Sequence, residues 1–560
     1  MRRWYVADFE TTNAKYYIEY GITKVWLYAV CDENGEIVSK GSTIQEFMTW
    51  CKENPKSDIY FHNLKFDGSF ILNYLFSNGY DYIPNMSVKS GKGFDTLIGE
   101  EGQYYQIRVN FAINKQVTFL DSLKIIPLKV KQIAKAFKLP IQKEVIDYGN
   151  YTINETTLNY VYNDVRIVAM ALKFFKNQGF DKMTIGSNAY NQCKTETRGF
   201  KDLFPKLDRD WLIQWRKAYR GGRTQVNPKY AGKILNNVNR YDINSMYPYA
   251  MSRFPMPYGK PIPITKRNNF EFELYKVQIS FKLKKGHLPT LLKSGSMFSN
   301  KGDTYYTETD SIEEIYISNI DYDLLEKHYD ITFIEFEEMY GFRTSKYLFR
   351  KWVDKYYLLK STAEGGLRLV YKLILNNLYG KFGSKCKGKT KIPQLSDDGS
   401  LSFTLSEEQD MTLYYLPVAI AITSVCHKLI DDAICETGLE NFVYCDTDSV
   451  HTLGLLPQDM IDDHEIGMFK FEGTENIAKY LRQKCYAYRE QDHYNIVCAG
   501  MTESIKEYLV EQYKDNIFKE FKIGLKVDEH SPNVFLEDLK LRPMQVKGGT
   551  ILVPTPFSLN

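Results

Sequence analysis

The chain has 560 residues, of which 44% are hydrophobic and 25% are charged. That length and composition exclude global disorder, a collagen-like chain and a miniature scaffold, and they favour about three or four globular domains. The 72 Lys and Arg residues nearly balance the 69 Asp and Glu residues, so the net charge of +3 indicates no particular partner.

Cysteine usage and hydropathy bear on the cellular compartment. Nine scattered Cys residues without a Cys-x-x-Cys motif favour a reducing compartment over a disulfide framework or a zinc site. The N-terminus, MRRWYVADFE, lacks the apolar run of a signal peptide, and the most apolar stretch, residues 416–426, is too short to cross a membrane. The sequence therefore predicts a cytosolic protein without a membrane partner.

Charge is distributed unevenly along the chain. Residues 122–143, 201–233 and 360–391 are strongly basic, and the last two segments contain interleaved Tyr and Phe residues. Residues 303–338 instead contain twelve acidic residues and one Lys. Basic segments with interleaved aromatic residues favour a groove for a phosphate backbone, and ordinary solvated faces are the alternative.

Periodicity and turn residues predict the elements in chain order. Residues 1–30 are predicted as strands around a turn, and alternating strand and helix signals to about residue 180 predict an α/β domain. The later predictions are a helix at 157–175, a strand running into a turn at 236–243, a boundary at 254–263, one or two helices at 351–380, a loop or hairpin insertion at 385–409, an apolar helix at 417–435 and a strand–turn–strand unit at 441–453.

A first set of carboxylates comes from three separated segments. Asp8 and Glu10 lie two apart in a strand-like run, so they face the same side. Asp67 lies in HNLKFDGSF, and Tyr160 and Asp164 lie four apart on the predicted helix, so they share a face. Four acids with a nearby phenol match the hard oxygen ligands that two Mg²⁺ ions require, although each pair alone also fits an ordinary surface.

A second set lies in the middle of the chain. Asp242 ends a predicted strand, and Asp446 and Asp448 lie two apart in YCDTDS, where stacked like charges are costly unless a cation neutralises them. Between these acids, three residues with i, i+4, i+7 spacing share one helix face: Lys372, Asn376 and Tyr379. A lysine on this face can meet a triphosphate as a point charge.

Taken together, the motifs resemble those of a known enzyme family. DFETT, HNLKFDG and Y-x-x-x-D resemble the three motifs of DEDD-type 3′→5′ proofreading exonucleases. DINSMYP, KLILNNLYG and YCDTDS resemble motifs A, B and C of family B DNA polymerases, YRGG resembles the motif that links the two regions, and KCY resembles the KxY motif. The residues within these motifs are similar to those of the protein-primed phage enzymes of the phi29-like type. This chain departs from the family pattern at Met246, where the family has Leu, and at Asn377, where the family has Ser.

The resemblance implies roles for individual residues. By this resemblance the nuclease metal ligands are Asp8, Glu10, Asp67 and Asp164. Tyr160 would orient the attacking water, and Lys143 would assist catalysis. Thr11, Asn63, Phe66, Ser122, Leu123 and Tyr148 would hold the frayed primer end. In the polymerase, Asp242 and Asp448 would hold two Mg²⁺ ions beside Asp446. Tyr247 would exclude a 2′-hydroxyl, Tyr379 would help to shape the nascent pair, and Asn376 would be a further substrate-binding residue. Lys360 and Lys372 would contact the triphosphate. The strand contacts would be Lys484 and Tyr486 with the primer, and Tyr219, Gly221 and Gly222 with the template.

The implied architecture is a multidomain chain of α/β and α+β parts. It combines an RNase H-like exonuclease domain with a right-hand polymerase of palm, fingers and thumb and two insertions. The expected divisions are exonuclease 1–183, palm 184–253 and 417–498, first terminal-protein-region insertion 254–350, fingers 351–383, second such insertion 384–416 and thumb 499–560. The second insertion is expected to give processivity and strand displacement.

The implied function is replicative, DNA-directed DNA synthesis, primed by a terminal protein and accompanied by proofreading. The expected partners are template and primer DNA, dNTPs and the terminal protein. The expected cofactor is Mg²⁺, two ions per active site, with Mn²⁺ as a substitute, and the expected form is a monomer in the cytoplasm of an infected bacterial host. The alternatives are a polymerase that uses nucleic-acid primers only, a DEDD nuclease with an inactive polymerase half, and a non-catalytic nucleic-acid clamp.

Overall fold

The N-terminal part of the chain is built on one mixed sheet. The computed structural model describes residues 2–141, 149, 151–293, 304–528, 530–532, 534 and 539–559. Eight strands form a sheet in the order β3-β2-β1-β4-β8-β7-β6-β5. The strands are β1 (Arg3–Thr11), β2 (Val25–Asp32), β3 (Ile37–Gly41), β4 (Ser57–Phe61), β5 (Asp81–Tyr82), β6 (Gly93–Ile98), β7 (Tyr104–Ala112) and β8 (Lys115–Asp121), and the helices are α1 (Ala14–Tyr20), α2 (Ile44–Glu53), α3 (Leu64–Ser77), α4 (Val130–Ala136) and α5 (Glu155–Asn177).

Two details of this region depend on helix capping. The predicted turn between the first two strands is the short helix α1 instead, because the Asn13 side chain caps its N-terminus and Gly21 ends it at φ +68°. The predicted helix at 157–175 is confirmed as α5, which a reciprocal pair of bonds between Asn154 and Thr157 caps. The apolar face of α5 packs on β1 and β2, and this packing fixes its position over the acids of β1.

A second sheet forms the centre of the molecule. Its seven strands follow the order β23-β22-β21-β10-β20-β19-β9, so segments far apart in sequence become neighbours. The elements that lead into it are α6 (Ile185–Glu196), α7 (Phe200–Leu203), α8 (Arg209–Trp215), β9 (Thr224–Val226), β10 (Ile234–Ile243) and α9 (Met246–Arg253). The predicted strand and turn at 236–243 are therefore confirmed as β10 and the bend that precedes α9.

A four-stranded sheet in the order β11-β14-β12-β13 follows. Its elements are β11 (Met256–Pro263), β12 (Phe272–Leu283), β13 (Glu313–Ser318), α10 (Asn319–His328) and β14 (Tyr329–Ser345). The run of Pro and Gly that predicted a boundary forms strand β11. Edge strands tolerate Pro, and the pairing of β11 with β14 shifts register between Tyr258 and Ile262.

The remaining elements return to the central sheet and then to the first domain. They are α11 (Arg350–Thr362), α12 (Gly365–Phe382), β15 (Lys387–Gly388), β16 (Lys391–Leu395), β17 (Leu401–Leu405), β18 (Gln409–Asp410), α13 (Leu416–Thr437), β19 (Phe442–Asp446), β20 (Ser449–Thr452), β21 (Phe469–Arg482), β22 (Cys485–Glu490), β23 (His493–Cys498), α14 (Glu503–Tyr513), α15 (Ile517–Glu520), β24 (Lys526–Val527), β25 (Lys540–Val546), β26 (Gly549–Thr555) and β27 (Phe557–Ser558). The predicted helices, hairpin insertion and strand–turn–strand unit are confirmed, although α12 continues past Gly380 to Phe382.

Two distant hairpins meet the N-terminal domain at α3. The Asn73 amide donates a 2.9 Å hydrogen bond to the Gly399 carbonyl in the β16–β17 hairpin. The Thr550 and Ser69 hydroxyls lie 2.7 Å apart, which docks the β25–β26 hairpin beside it. Across the ranges that the structure describes, no helix is long and apolar enough to span a bilayer.

Candidate active sites

The first candidate site lies where α5 crosses β1. Period two brings Asp8 and Glu10 to the face of β1 that α5 covers, and α5 presents Tyr160 and Asp164 from successive turns. Asp67 enters from the first turn of α3 and is buried, as are Glu10, Tyr160 and Asp164. Burial, followed by the charges of Asp8 and Glu10, raises the pKa of Asp67 well above its usual range. Crowded, buried carboxylates of this kind favour a bound divalent cation.

The residues expected to hold a DNA end lie beside these acids. Asn63 begins α3 in a left-handed conformation at φ +82°, and its N–H donates to Asp121 Oδ1 at 3.1 Å. The Leu123 N–H donates to the same oxygen at 3.0 Å, while the Ser122 hydroxyl donates to the Phe61 carbonyl. One carboxylate therefore joins the two predicted segments. Sequence reasoning missed Asp121, although it directly precedes Ser122.

The other predictions for this site have mixed outcomes. Thr11 ends β1 at a register shift, and Phe66 packs on Phe70 with 5.8 Å between ring centroids. Lys143 and Tyr148 lie outside the described residues. His62 was not predicted, yet its Nδ1 lies 2.9 Å from the Ser122 hydroxyl, so it helps to fix the segment that follows β8.

The second candidate site lies at the end of the central sheet. Asp242 of β10 is opposite Ser449 of β20, and Asp446 of β19 is opposite the same Ser449. Antiparallel pairing therefore brings the predicted acids together, although about 200 residues separate them. Burial and the charge of Asp448 raise the pKa of Asp242 to about 7. Burial and the charge of Asp446 raise the pKa of Asp448 as well, and such a cluster fits the hard oxygen ligands of a divalent metal.

Asp446 differs from the other two acids because a lysine neutralises it. Lys484 Nζ lies 2.6 and 2.7 Å from the two carboxylate oxygens of Asp446. The Lys484 N–H also donates to the Tyr444 hydroxyl at 3.1 Å. The Tyr486 ring lies against Tyr444 with 5.1 Å between centroids. An ion pair, a hydrogen bond and ring packing therefore connect the KCY motif to the YCDTDS motif.

Two tyrosines line the space next to the acids. The rings of Tyr247 from α9 and Tyr379 from α12 stack with centroids 4.0 Å apart and an interplanar angle of 8°. A Cβ atom added to Gly222 would lie 2.9 Å from Thr447 Cγ2 and 3.1 Å from the Tyr247 hydroxyl. Gly222 therefore permits close contact between the YRGG segment, the turn at Thr447 and the tyrosine pair.

The rest of the YRGG segment is also in contact with neighbouring elements. The Tyr219 ring packs on Gly383, where an added Cβ atom would lie only 2.7 Å from the ring. His427 Nε2 lies 2.7 Å from the Gly221 carbonyl oxygen. His427 is on α13 and was not predicted, because 206 residues separate it from Gly221.

The predicted cations lie around the same space. Lys360 Nζ donates to the Ser245 hydroxyl at 3.0 Å, just before α9. Burial, and then the charges of Lys372 and Arg368, lower the pKa of Lys360. Lys372 and Asn376 are exposed on α12, and the Asn377 side chain donates instead to the Leu373 carbonyl within the helix. A positive edge next to negative acids suits a ligand that brings phosphates and metal together.

The chain matches known proteins over its whole length. The family model for DNA polymerase type B, organellar and viral, matches residues 49–152 and 146–465. The DNA polymerases of Bacillus phage Nf and Bacillus phage phi29 are each 33% identical to this chain, and each match covers 100% of this chain. The match covers 100% of the phage Nf enzyme and 99% of the phage phi29 enzyme. The DNA polymerase of Streptococcus phage Cp-1 is 31% identical and is covered to 99%.

Solved structures agree with this match. Phi29 DNA polymerase complexed with single-stranded DNA has a TM-score of 0.89 at 32% identity, with 100% of both chains covered. The same enzyme complexed with primer-template DNA and incoming nucleotide substrates gives the same values. The multidomain exonuclease and polymerase fold expected from the sequence is thereby confirmed, and divalent metal use is a property of this family. The chain is a replicative DNA-directed DNA polymerase and belongs to the type B DNA polymerases, organellar and viral, of the phi29-like phage type.

Proposed function

We propose that this polymerase carries out protein-primed, processive and strand-displacing synthesis in the cytoplasm of an infected bacterial host, as a monomer with a proofreading exonuclease. The observation that carries nucleotidyl transfer, the activity at the centre of this proposal, is the cluster of Asp242, Asp446 and Asp448 beside the stacked pair Tyr247 and Tyr379. Charge repulsion within that cluster is relieved by metal, and an aromatic wall suits a sugar and base.

The chain would divide its work at the polymerase site among three acids and their neighbours. Asp242 and Asp448 would hold two Mg²⁺ ions, and Mn²⁺ could replace them. The chemistry that such ions supply is activation of an attacking oxygen and stabilisation of a leaving one. Asp446, neutralised by Lys484, would remain beside them as a fixed dipole rather than a third free charge. Bond formation joins the primer 3′-oxygen to the α-phosphate, and pyrophosphate leaves.

Substrate contacts follow from the positions of the side chains around these acids. Tyr247 would pack under the incoming sugar and exclude a 2′-hydroxyl, with Tyr379 and Asn376 next to the nascent pair. Lys360 and Lys372 would meet the triphosphate. The charge of Lys372 lowers the pKa of Lys360 and acts in the same direction on the pKa of Asp242, which supports a cation next to the acids. Lys484 and Tyr486 would hold the primer strand. Tyr219, Gly221 and Gly222 would pass the template strand.

The nuclease site would use its own set of acids. Asp8, Glu10, Asp67 and Asp164 would ligate two Mg²⁺ ions, and the buried Tyr160 would orient the attacking water. Thr11, Asn63, Phe66, Ser122 and Leu123 would hold the frayed primer end, and Lys143 and Tyr148 keep the roles that the resemblance gives them. The shared contacts of Asp121 with Asn63 and Leu123 support this grouping.

The domain divisions stay as proposed from the sequence: exonuclease 1–183, palm 184–253 and 417–498, first insertion 254–350, fingers 351–383, second insertion 384–416 and thumb 499–560. Template and primer DNA and dNTPs are the proposed partners. The solved complexes of phi29 DNA polymerase with primer-template DNA and with incoming nucleotide substrates support them. The contact of both β16–β17 and β25–β26 with α3 supports a closed path around DNA. A terminal protein is the proposed priming partner.

Extension of a primed, single-stranded circular DNA with dNTPs and Mg²⁺ tests strand displacement and processivity. We expect products many circle lengths long without any accessory protein. Deleting the β16–β17 hairpin, residues 391–405, should limit products to about one circle while short-gap filling continues. Products that stop at one circle with the complete chain would remove the proposed role of the second insertion.

Protein priming requires a separate assay. The polymerase and a candidate terminal protein are incubated with a labelled dNTP, and label that becomes covalently bound to protein is measured. Neutralising four acids of the first insertion should reduce this labelling if they border the docking surface: Glu313, Glu314, Glu337 and Glu338. Extension of DNA primers with no labelled protein would favour the alternative that this enzyme uses nucleic-acid primers only.

A further inference from the structure

The turn that carries the catalytic acids is held from outside its own strands. Thr447, between Asp446 and Asp448, has φ +64°, a left-handed conformation that a Thr side chain adopts at a cost. Its N–H donates to the carbonyl oxygen of Arg223 at 2.8 Å. The aim of the two acids on either side therefore depends on where the backbone of Arg223 lies.

Arg223 follows two glycines and is anchored by its own side chain. Only 1% of its surface is exposed. Its Nη1 donates to Asp431 Oδ1 at 2.9 Å, and its Nε and Nη2 both donate to Gln225 Oε1 at 3.2 Å. His427 holds the Gly221 carbonyl before residue 223, and Thr224 after it pairs with Asp446 in the sheet. The guanidinium adds to these contacts the anchor of residue 223 itself, through its own side chain.

Asp431 on α13 provides the anchoring charge. It is fully buried, and its second oxygen accepts from Lys327 Nζ at 2.7 Å and lies 3.0 Å from His328 Nε2. His328, Asp431 and Cys435 have ligand atoms within 4.8 Å of one another, as a metal site requires. However, Arg223 and Lys327 already neutralise the carboxylate, and a divalent ion would add more positive charge. The cluster is therefore an ion-pair anchor.

We propose that Arg223 and Asp431 are positioning residues for nucleotidyl transfer, and that their buried ion pair holds the turn at Thr447 in its metal-binding conformation. The inference depends on the proposed roles of Asp446 and Asp448. Neither Arg223 nor Asp431 would touch substrate, and they act through the Arg223 carbonyl. The pair joins residues 208 positions apart, so it also ties the YRGG segment to α13.

The test compares the unchanged chain with the double variant Arg223→Met, Asp431→Leu. Apolar residues of similar size often replace a buried ion pair without loss of stability, so this variant removes the anchor and keeps the packing. Amide hydrogen exchange of the peptide that contains Thr447 is measured in EDTA, without metal. Polymerase turnover and its half-saturating Mg²⁺ concentration are then measured, and exonuclease activity on single-stranded DNA reports on folding elsewhere.

We expect at least tenfold faster exchange in that peptide, about tenfold slower polymerisation and a severalfold higher Mg²⁺ requirement, with exonuclease activity within twofold. The matched control Lys327→Met removes a different partner of Asp431 and should change none of these values. Arg223→Lys keeps the charge but loses Gln225, so it should give a smaller loss of the same kind and provides the test if the double variant does not fold.

Three results separate the possible failures. Exchange and polymerisation within twofold of the unchanged chain would overturn the inference. Parallel loss of polymerase and exonuclease would also overturn it, since the pair would then serve general stability. Full polymerase activity in Asp448→Asn would instead refute the proposed metal ligands, independently of Arg223.

Discussion

Replacing Asp242 with Asn should stabilise the metal-free polymerase at neutral and alkaline pH while abolishing synthesis. The structure half-buries Asp242 next to Asp448, and together these effects raise its pKa to about 7 from an ordinary value of 3.8. Two carboxylates held close together and partly shielded from solvent destabilise the fold when no cation lies between them. Asn keeps the shape of the side chain and removes the charge.

The sign and size of the effect follow from proton linkage. Because the folded protein holds this proton more tightly than the unfolded chain, the contribution of Asp242 to stability is complete below about pH 4. It is lost as the pH rises to about 7 and is constant above that. A shift of about three pH units corresponds to about 4 kcal/mol, at about 1.4 kcal/mol per unit. This value is an upper bound, because solvent screens the repulsion at a half-buried carboxylate and lowers the energy. Asp242→Asn should recover up to that amount at pH 8 and almost none at pH 4.

The difference in the free energy of unfolding between the two proteins is measured by urea unfolding in EDTA at pH 4 and pH 8. Limited proteolysis of the central region monitors the unfolding. Asp459→Asn is the matched control, because it removes an exposed carboxylate from the same part of the chain. Saturating Mg²⁺ at pH 8 should stabilise the central region of the unchanged protein more than that of Asp242→Asn, because the proposed nuclease site binds metal in both proteins. If Asp242→Asn is no more stable than the unchanged protein at pH 8, the argument from burial and charge repulsion is wrong.

Three further changes test the contacts around the polymerase site. Gly222→Ala places a methyl group 2.9 Å from Thr447 Cγ2, so primer extension should fall at least tenfold while degradation of single-stranded DNA stays within twofold; equal loss of both activities would contradict this. Tyr247→Ala opens the wall stacked on Tyr379, so the preference for dNTPs over rNTPs in single-nucleotide incorporation should fall about a hundredfold, or about 2.7 kcal/mol, and an unchanged ratio would refute the role of this ring. Lys484→Met removes the cation held by Asp446, so steady-state turnover should drop about tenfold and be partly restored by Lys484→Arg, whereas full activity in Lys484→Met would show that the ion pair is dispensable.

Local spacing was sufficient to predict which acids share a face. The period of a strand pairs Asp8 with Glu10, and the period of a helix pairs Tyr160 with Asp164. The structure has each pair on one element, as expected. That these elements then meet depends on the packing of α5 on β1, which spacing alone does not determine. Only the resemblance to a family joined the motifs into sites.

The contacts that sequence reasoning missed are long-range and polar. Arg223 meets Asp431 across 208 positions, and His427 meets Gly221 across 206. No local periodicity links such residues, and a lone His or Asp on an apolar helix has no distinctive signal. The short helix α1 was missed because Asn13 also fits a turn, and only its accepted bond from the Tyr16 N–H distinguishes a cap.

We propose that this one chain holds two separate metal-dependent sites. The most direct test of this proposal follows one end-labelled primer–template with Mg²⁺ and dNTPs, using the unchanged protein, Asp448→Asn and Asp8→Ala. We expect Asp448→Asn to shorten the primer without extending it, and Asp8→Ala to extend it without shortening a mismatched end. Loss of both activities in either variant, or of neither in both, would contradict the division of the carboxylates into two sites.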